Sequence, residues 1–139
     1  VTHGLQLVGL DYLRADNKTY DPHGVSKTTL ETELPRIARK LRKDLPVVMF
    51  HHSPIGVQYM HKAGADVVLA GHTHGGQVWP ATLFARLQFE YNVGHYRYKG
   101  TRIYVSRGAG TFGPPLRIGT FNEINHVILV PAKPAKEKP

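Results

Sequence analysis

The chemistry that this sequence concentrates is carried by imidazole. His51 and His52 close one apolar run, and twenty residues beyond His52 a second apolar run leads into Gly71-His72-Thr73-His74-Gly75-Gly76. Neutral imidazole is the commonest transition-metal ligand, and clustered imidazoles without thiols suit zinc, manganese, iron, nickel or cobalt. The chain has no cysteine, which removes disulfides, zinc ribbons, iron–sulfur clusters and thiol catalysis from consideration. Three neutral imidazoles leave a metal's charge uncompensated, so carboxylates normally share a site that activates water for phosphate chemistry. The ligand form is neutral, so protonation below about pH 6 is expected to release metal. His3, His23, His61, His95 and His126 stand alone and read as ordinary core or surface residues.

These histidines need elements to position them. Leu5 to Leu10 reads as a first strand, and Asp11 to Thr29 as a polar loop with turn-forming pairs at Asp16-Asn17 and Asp21-Pro22. A helix follows, capped by Thr28 or Thr29, with Leu34, Ile37, Ala38 and Leu41 on one face. Its opposite face carries Arg36, Arg39, Lys40, Arg42 and Lys43, which reads as solvated. Val47 to Phe50 is a short β-branched strand that ends at His51-His52. A helix over Ile55 to Ala63, closed by Gly64, then leads to a strand over Asp66 to Ala70. This rhythm predicts an α/β fold with a parallel or mixed sheet and flanking helices.

If neighbouring parallel strands end at one edge, their loops emerge together, where open α/β sheets place ligands. His52, His72 and His74 are then expected to converge. His51 alternates with His52 and points to the opposite face, so only one of that pair is expected to be a ligand. The glycines at 71, 75 and 76 let the backbone turn tightly around a bulky bound group. Pro80 to Tyr98 shows no clean period and reads as an irregular lid or partner surface. Arg102 to Ser106 and His126 to Val130 read as two further strands around a loop, Gly108 to Gly119. Residues 131–139 are expected to be a disordered tail.

The balance of 18 Lys and Arg against 10 Asp and Glu gives a net charge of +8, which favours an anionic partner. No apolar run approaches the roughly 18 residues needed to cross a bilayer, and Val1 to Leu10 lacks the pattern of an export signal. Two competing readings follow from composition. One is a basic module that binds nucleic acid or an anionic membrane surface through Arg36, Arg39, Lys40, Arg42 and Lys43, although no nucleic-acid signature accompanies the charge. The other is a histidine-rich fragment that assembles with itself along an exposed apolar edge.

Four segments resemble the calcineurin-like metallophosphoesterases. They are Val47-Val48-Met49-Phe50-His51-His52-Ser53-Pro54, Gly71-His72-Thr73-His74-Gly75-Gly76-Gln77, Ile103-Tyr104-Val105-Ser106-Arg107-Gly108-Ala109-Gly110 and Asn122-Glu123-Ile124. The likeness extends from about Pro46 to Val130 and is greatest to a bacterial, often membrane-associated branch with GHTHGGQ. It implies a four-layer αββα sandwich and hydrolysis of phosphomonoesters or phosphodiesters by a two-metal centre. It also implies that His52 and His72 hold one ion and that His74 holds the other. Arg107, in the loop after Ile103 to Val105, is expected to contact substrate phosphate.

Three family motifs, Asp-x-His, Gly-Asp-x-x-Asp and Gly-Asn-His, are absent from this chain, and Asp21-Pro22-His23 matches the first in letters only. Residues 1–130 are therefore expected to be the carboxy-terminal part of such a domain, half of the sandwich, with the amino-terminal half missing. The chain alone is expected to bind metal weakly and turn over little substrate. The parent is expected to be membrane-associated through an upstream segment, or cytoplasmic.

Overall fold

The computed structural model describes residues 4–10 and 29–130 of the chain. The expectations for residues 11–28 of the loop, a Thr28 cap, Asp21-Pro22-His23 and the 131–139 tail lie outside the described residues, while Thr29 opens the helix itself rather than closing the loop or capping from outside it.

Five short strands make one mixed sheet. Four of them are parallel: β1 (Gln6–Gly9), β2 (Val47–Phe50), β3 (Val67–Ala70) and β5 (Thr101–Val105), while β4 (Gly94–Tyr98) runs antiparallel to β5. The spatial order is β1-β2-β3-β5-β4, so the two central strands nearest β1 are those that deliver the histidines. Helices α1 (Thr29–Ala38) and α2 (Val57–Lys62) form the crossovers around β2, and α3 (Ala81–Gln88) follows the histidine loop. The α/β class with a mixed sheet and flanking helices is thus the fold of the chain. Among the described residues no helix is long and apolar enough to cross a membrane.

The core lies between one sheet face and the first two helices. Met49, Val68 and Ile103 point from the sheet toward Leu34 of α1 and Val57 and Met60 of α2, and all six are essentially inaccessible to solvent. Polar clasps fix the strand starts. The Gln6 side chain donates to the Arg42 carbonyl and accepts from the Arg42 N–H, both at 2.8 Å, which ties β1 to the turn before β2. The Asp66 carboxylate accepts from the Val47 N–H at 2.8 Å, and the Thr101 hydroxyl donates to the Ala65 carbonyl at 2.6 Å. The second sheet face is more open: Leu5, Leu7 and Phe50 remain exposed on it, and residues 125–129 border a cleft of about 340 Å³ there.

Three expectations are corrected. His126 to Val130 forms no strand: a β-branched run becomes one only beside a hydrogen-bonding neighbour, and this segment runs irregularly across the open face. Pro80 to Tyr98 is ordered as α3 and β4. Its periodicity is hidden because α3 buries only Ala85 and turns its larger apolar residues outward, while β4 is a polar edge strand. Finally, α1 ends at Ala38, so Arg39, Lys40, Arg42 and Lys43 and the apolar Leu41 lie in the turns beyond it rather than on helix faces. Arg42 there pairs with Asp44 at 2.5 Å, and Arg36 on the helix pairs with Glu33 at 3.1 Å.

Met60 is fully enclosed and Leu87 is almost fully solvated. Met60→Ala is therefore expected to cost about 2–5 kcal/mol in urea denaturation, whereas Leu87→Ala should stay within about 0.5 kcal/mol of the parent.

Candidate metal centre

The ladder between parallel strands continues beyond their ends. The His51 N–H donates to the Leu69 carbonyl at 3.1 Å, the Gly71 N–H to the His52 carbonyl at 3.0 Å, and the Ser106 N–H to the Ala70 carbonyl at 2.8 Å. The loops after β2, β3 and β5 are thereby held side by side at the carboxyl edge of the sheet. A cleft of about 390 Å³ opens over that edge, lined by Gly9, Phe50, His52, Ser106 and Asn125 among others. Backbone alternation sorts the first two histidines as expected: His51 is buried and His52 is exposed.

His52 and His72 meet directly. Nε2 of His52 lies 2.9 Å from Nδ1 of His72, with ring centroids 4.7 Å apart at 62°. One of the two nitrogens donates and the other accepts, so the pair shares a proton. Phe89, at the end of α3, packs edge-on against His72 with centroids 6.1 Å apart.

His74 is placed differently. The segment is not extended: His72 has φ 73°, His74 φ 50° and Gln77 φ 52°, in the left-handed region that costs a side-chain-bearing residue about 1–2 kcal/mol. These kinks part the two rings. His74 turns to Arg117, whose Nη2 donates to its Nδ1 at 3.1 Å and whose Nη1 donates to its carbonyl at 3.1 Å. Since Nδ1 accepts, the neutral ring carries its proton on Nε2. Burial, followed by the charges of Arg117 and His52, holds the His74 imidazolium below its ordinary pKa. The structure therefore brings His52 and His72 together and holds His74 nearby on another partner. Among the described residues no group of three or more metal-capable side chains is assembled. The residues fit a metal in part: two imidazoles meet at the open edge, short of a closed ligand set, and they could hold an ion once the proton between them is lost.

The strained loop is held by neighbours on all sides. The buried Thr73 hydroxyl donates to the Asn92 carbonyl at 2.6 Å, and Tyr96 takes the N–H groups of Asn92 and Val93 on its hydroxyl. Gly76, at φ 81°, faces the start of α3 so closely that a Cβ there would lie 2.5 Å from Cα of Thr82. Gln77 accepts from the Phe112 N–H at 2.5 Å and donates to the Phe112 carbonyl at 2.7 Å, which fastens the Gly-rich loop to the histidine segment.

Arg117 also donates to the carbonyls of Arg107, Gly108 and Gly110, so it organises that loop and His74 together. Sequence reasoning passed over it. Its signal was that it is the sole charged residue between Gly108 and Gly119. Arg107 lies at the same edge, with Nη1 on Glu123 Oε2 at 2.8 Å and its guanidinium 4.4 Å from the Phe121 ring centroid. Glu123 further accepts from the Arg107 N–H at 2.9 Å and the Tyr104 hydroxyl at 3.1 Å. Burial tends to raise the Glu123 carboxyl, but the hydrogen bonds from Arg107, Asn125 and Tyr104 outweigh it and bring it down to about 2. The Tyr104 hydroxyl is raised by burial and by its bond to Glu123.

A carboxylate depressed from 4.5 to about 2 stabilises the fold above pH 4.5 and loses that contribution as pH falls toward 2. Urea midpoints taken across this window should fall more steeply for the parent than for Glu123→Gln, with parallel behaviour above it.

Comparison with known proteins connects this edge to a family. No family model and no solved structure matches the chain. An uncharacterized metallophosphoesterase of Helicobacter pylori is 33% identical over 118 residues, covering 84% of this chain and 32% of that protein. One from Campylobacter jejuni is 34% identical over 105 residues, covering 75% and 28%. A transmembrane protein with metallophosphoesterase domain from Danio rerio is 31% identical over 126 residues, covering 88% and 27%. The chain thus spans between 27% and 32% of the length of these curated relatives. With paired histidines at the carboxyl edge of a mixed α/β sheet and this shared sequence, the chain belongs to the calcineurin-like metallophosphoesterase family.

Proposed function

We propose that this chain supplies the histidine side of a two-metal centre that hydrolyses phosphomonoesters or phosphodiesters, with the remaining ligands contributed by polypeptide outside it. The observation that carries the reading is the His52–His72 contact of 2.9 Å at the open edge of the sheet. His52 and His72 would hold one of two divalent ions, manganese, zinc, iron, nickel or cobalt, whose chemistry when bound would be to activate water and neutralise the phosphoryl oxygens. His74 is assigned to the other, which requires its Nδ1 to give up the hydrogen bond from Arg117 so that Nε2 presents a lone pair. The exposed apolar residues Leu5, Leu7 and Phe50 support the half-sandwich reading, in which the amino-terminal half of the same domain covers the second sheet face.

The substrate phosphate falls to Arg107. A guanidinium has five donors in a rigid fork, more than the Glu123 carboxylate takes up, and Glu123 orients it from one side.

Calorimetry with manganese or zinc, paired with a chromogenic phosphodiester assay, tests the proposal. The 139-residue chain is expected to bind metal weakly and to hydrolyse little, and robust turnover would overturn the shared-site reading. His52→Ala or His72→Ala should abolish the metal heat, and in the full-length enzyme should lower kcat/KM by at least about 100-fold, beyond what loss of a ligand's supporting contact costs. Arg107→Ala should raise KM in the full-length enzyme; an unchanged KM removes the phosphate role.

A further inference from the structure

His52, Gly71 and Ser106 form one row across the sheet edge. Phe50, Leu69 and Tyr104 are partners in the ladder of β2, β3 and β5, so the residues two places on in each strand continue that register and lie on the same, open face. The bonds from the Gly71 N–H to the His52 carbonyl and from the Ser106 N–H to the Ala70 carbonyl keep the register past the strand ends. The middle position of the row has no side chain, and its backbone does not require glycine. Gly71 lies outside the left-handed region. Chain neighbours aside, a Cβ built there would meet only the carbonyl oxygens of Ser106 and His52, at the ordinary contact distances of 3.7 and 3.9 Å. What glycine leaves here is room between an imidazole and a hydroxyl, two groups that also line the cleft of about 390 Å³.

The Ser106 hydroxyl has one way left to bond. It accepts from the Gly108 N–H at 2.9 Å and from the Asn125 amide nitrogen at 2.7 Å. The neighbours of that amide set its orientation: its nitrogen also faces Glu123 Oε1 at 3.3 Å, a carboxylate oxygen that only accepts, and its oxygen takes the Tyr104 hydroxyl. With both lone pairs of Ser106 engaged, only its proton remains, and among the described residues nothing accepts it. None of the described residues lining the cleft is acidic, and Arg107 follows directly in the chain. A donor held in this way selects an acceptor-rich anion. We infer that Ser106 donates a hydrogen bond to a non-bridging phosphoryl oxygen of the substrate, seated over Gly71 beside His52. Ser106 is then a specificity-determining contact and Gly71 the space that admits the group. The inference rests on the hydrolytic reading above and adds to it a residue that binds no metal.

The full-length enzyme, assayed with a chromogenic phosphodiester and with orthophosphate as inhibitor, tests it. Ser106→Ala is expected to raise KM and the inhibition constant of orthophosphate by at least about tenfold, the size of one hydrogen bond to a charged acceptor. Its kcat should change far less and its calorimetric metal affinity should be preserved. Ser106→Thr, which keeps the hydroxyl, should restore both constants. Since Ser106→Ala also takes an acceptor from Gly108 and Asn125, Gly71→Ala is the second variant. It removes no hydrogen bond, should keep the thermal midpoint, and should weaken orthophosphate by filling the gap with a methyl group. The inference is overturned if either variant leaves both constants unchanged, if the loss in Ser106→Ala follows loss of metal, or if Gly71→Ala fails to fold and so marks a packing position. An active parent with unresponsive variants sinks this inference alone, whereas a parent that takes up no metal and leaves the diester intact sinks the hydrolytic reading with it.

Discussion

Two imidazoles separated by twenty residues of chain meet because the hydrogen-bond ladder does not stop where the strands do. The N–H of Gly71 still donates to the His52 carbonyl after both strands have ended, and that bond sets the offset at which the next side chains leave the sheet. A parallel arrangement is essential to this. Antiparallel neighbours would send the two loops to opposite ends of the sheet, whereas β2, β3 and β5 release theirs at one edge. The buried face that holds the register, with Met49, Val68 and Ile103 against α1 and α2, is therefore as much a condition of the site as the histidines are.

Beyond that edge the backbone departs from its preferred conformations. His72, His74 and Gln77 all take positive φ, and the surrounding contacts must outweigh the cost. Thr73 reaches Asn92, Gln77 reaches Phe112, and Gly76 allows α3 to close over the turn. The result is a rigid loop whose two histidines face different partners, His52 for one and Arg117 for the other. Of the three histidines, two meet at the open edge of the sheet, and the third ring is held in a tautomer suited to its arginine.

What could be read from residues alone followed the strength of local pattern. VVMF and DVVLA are short apolar runs bounded by Pro46 and Gly64 on one side and by histidines on the other, and both became the strands expected. The conflict of alternation between His51 and His52 was also resolvable, since period two decides which one is buried. Pattern failed where the environment decides. Helix α3 has no inward apolar stripe to detect, so its sequence looked irregular. His126 to Val130 has the composition of a strand but no ladder to join. The parting of His72 and His74 depended on left-handed backbone at residues that usually avoid it, and the place of Arg117 depended on contacts across more than forty residues. No local signal carries the first, and for the second the lone charge between Gly108 and Gly119 is the sole hint.

The reach of Arg117 has a mechanical consequence. One guanidinium bonds both the His74 ring and the carbonyls of Arg107, Gly108 and Gly110, so the shape of the glycine-rich segment and the proton position on that imidazole are a single variable. Any force that pulls the segment away from the sheet breaks the contact at Nδ1 in the same movement. The ring then loses the donor that fixes its tautomer.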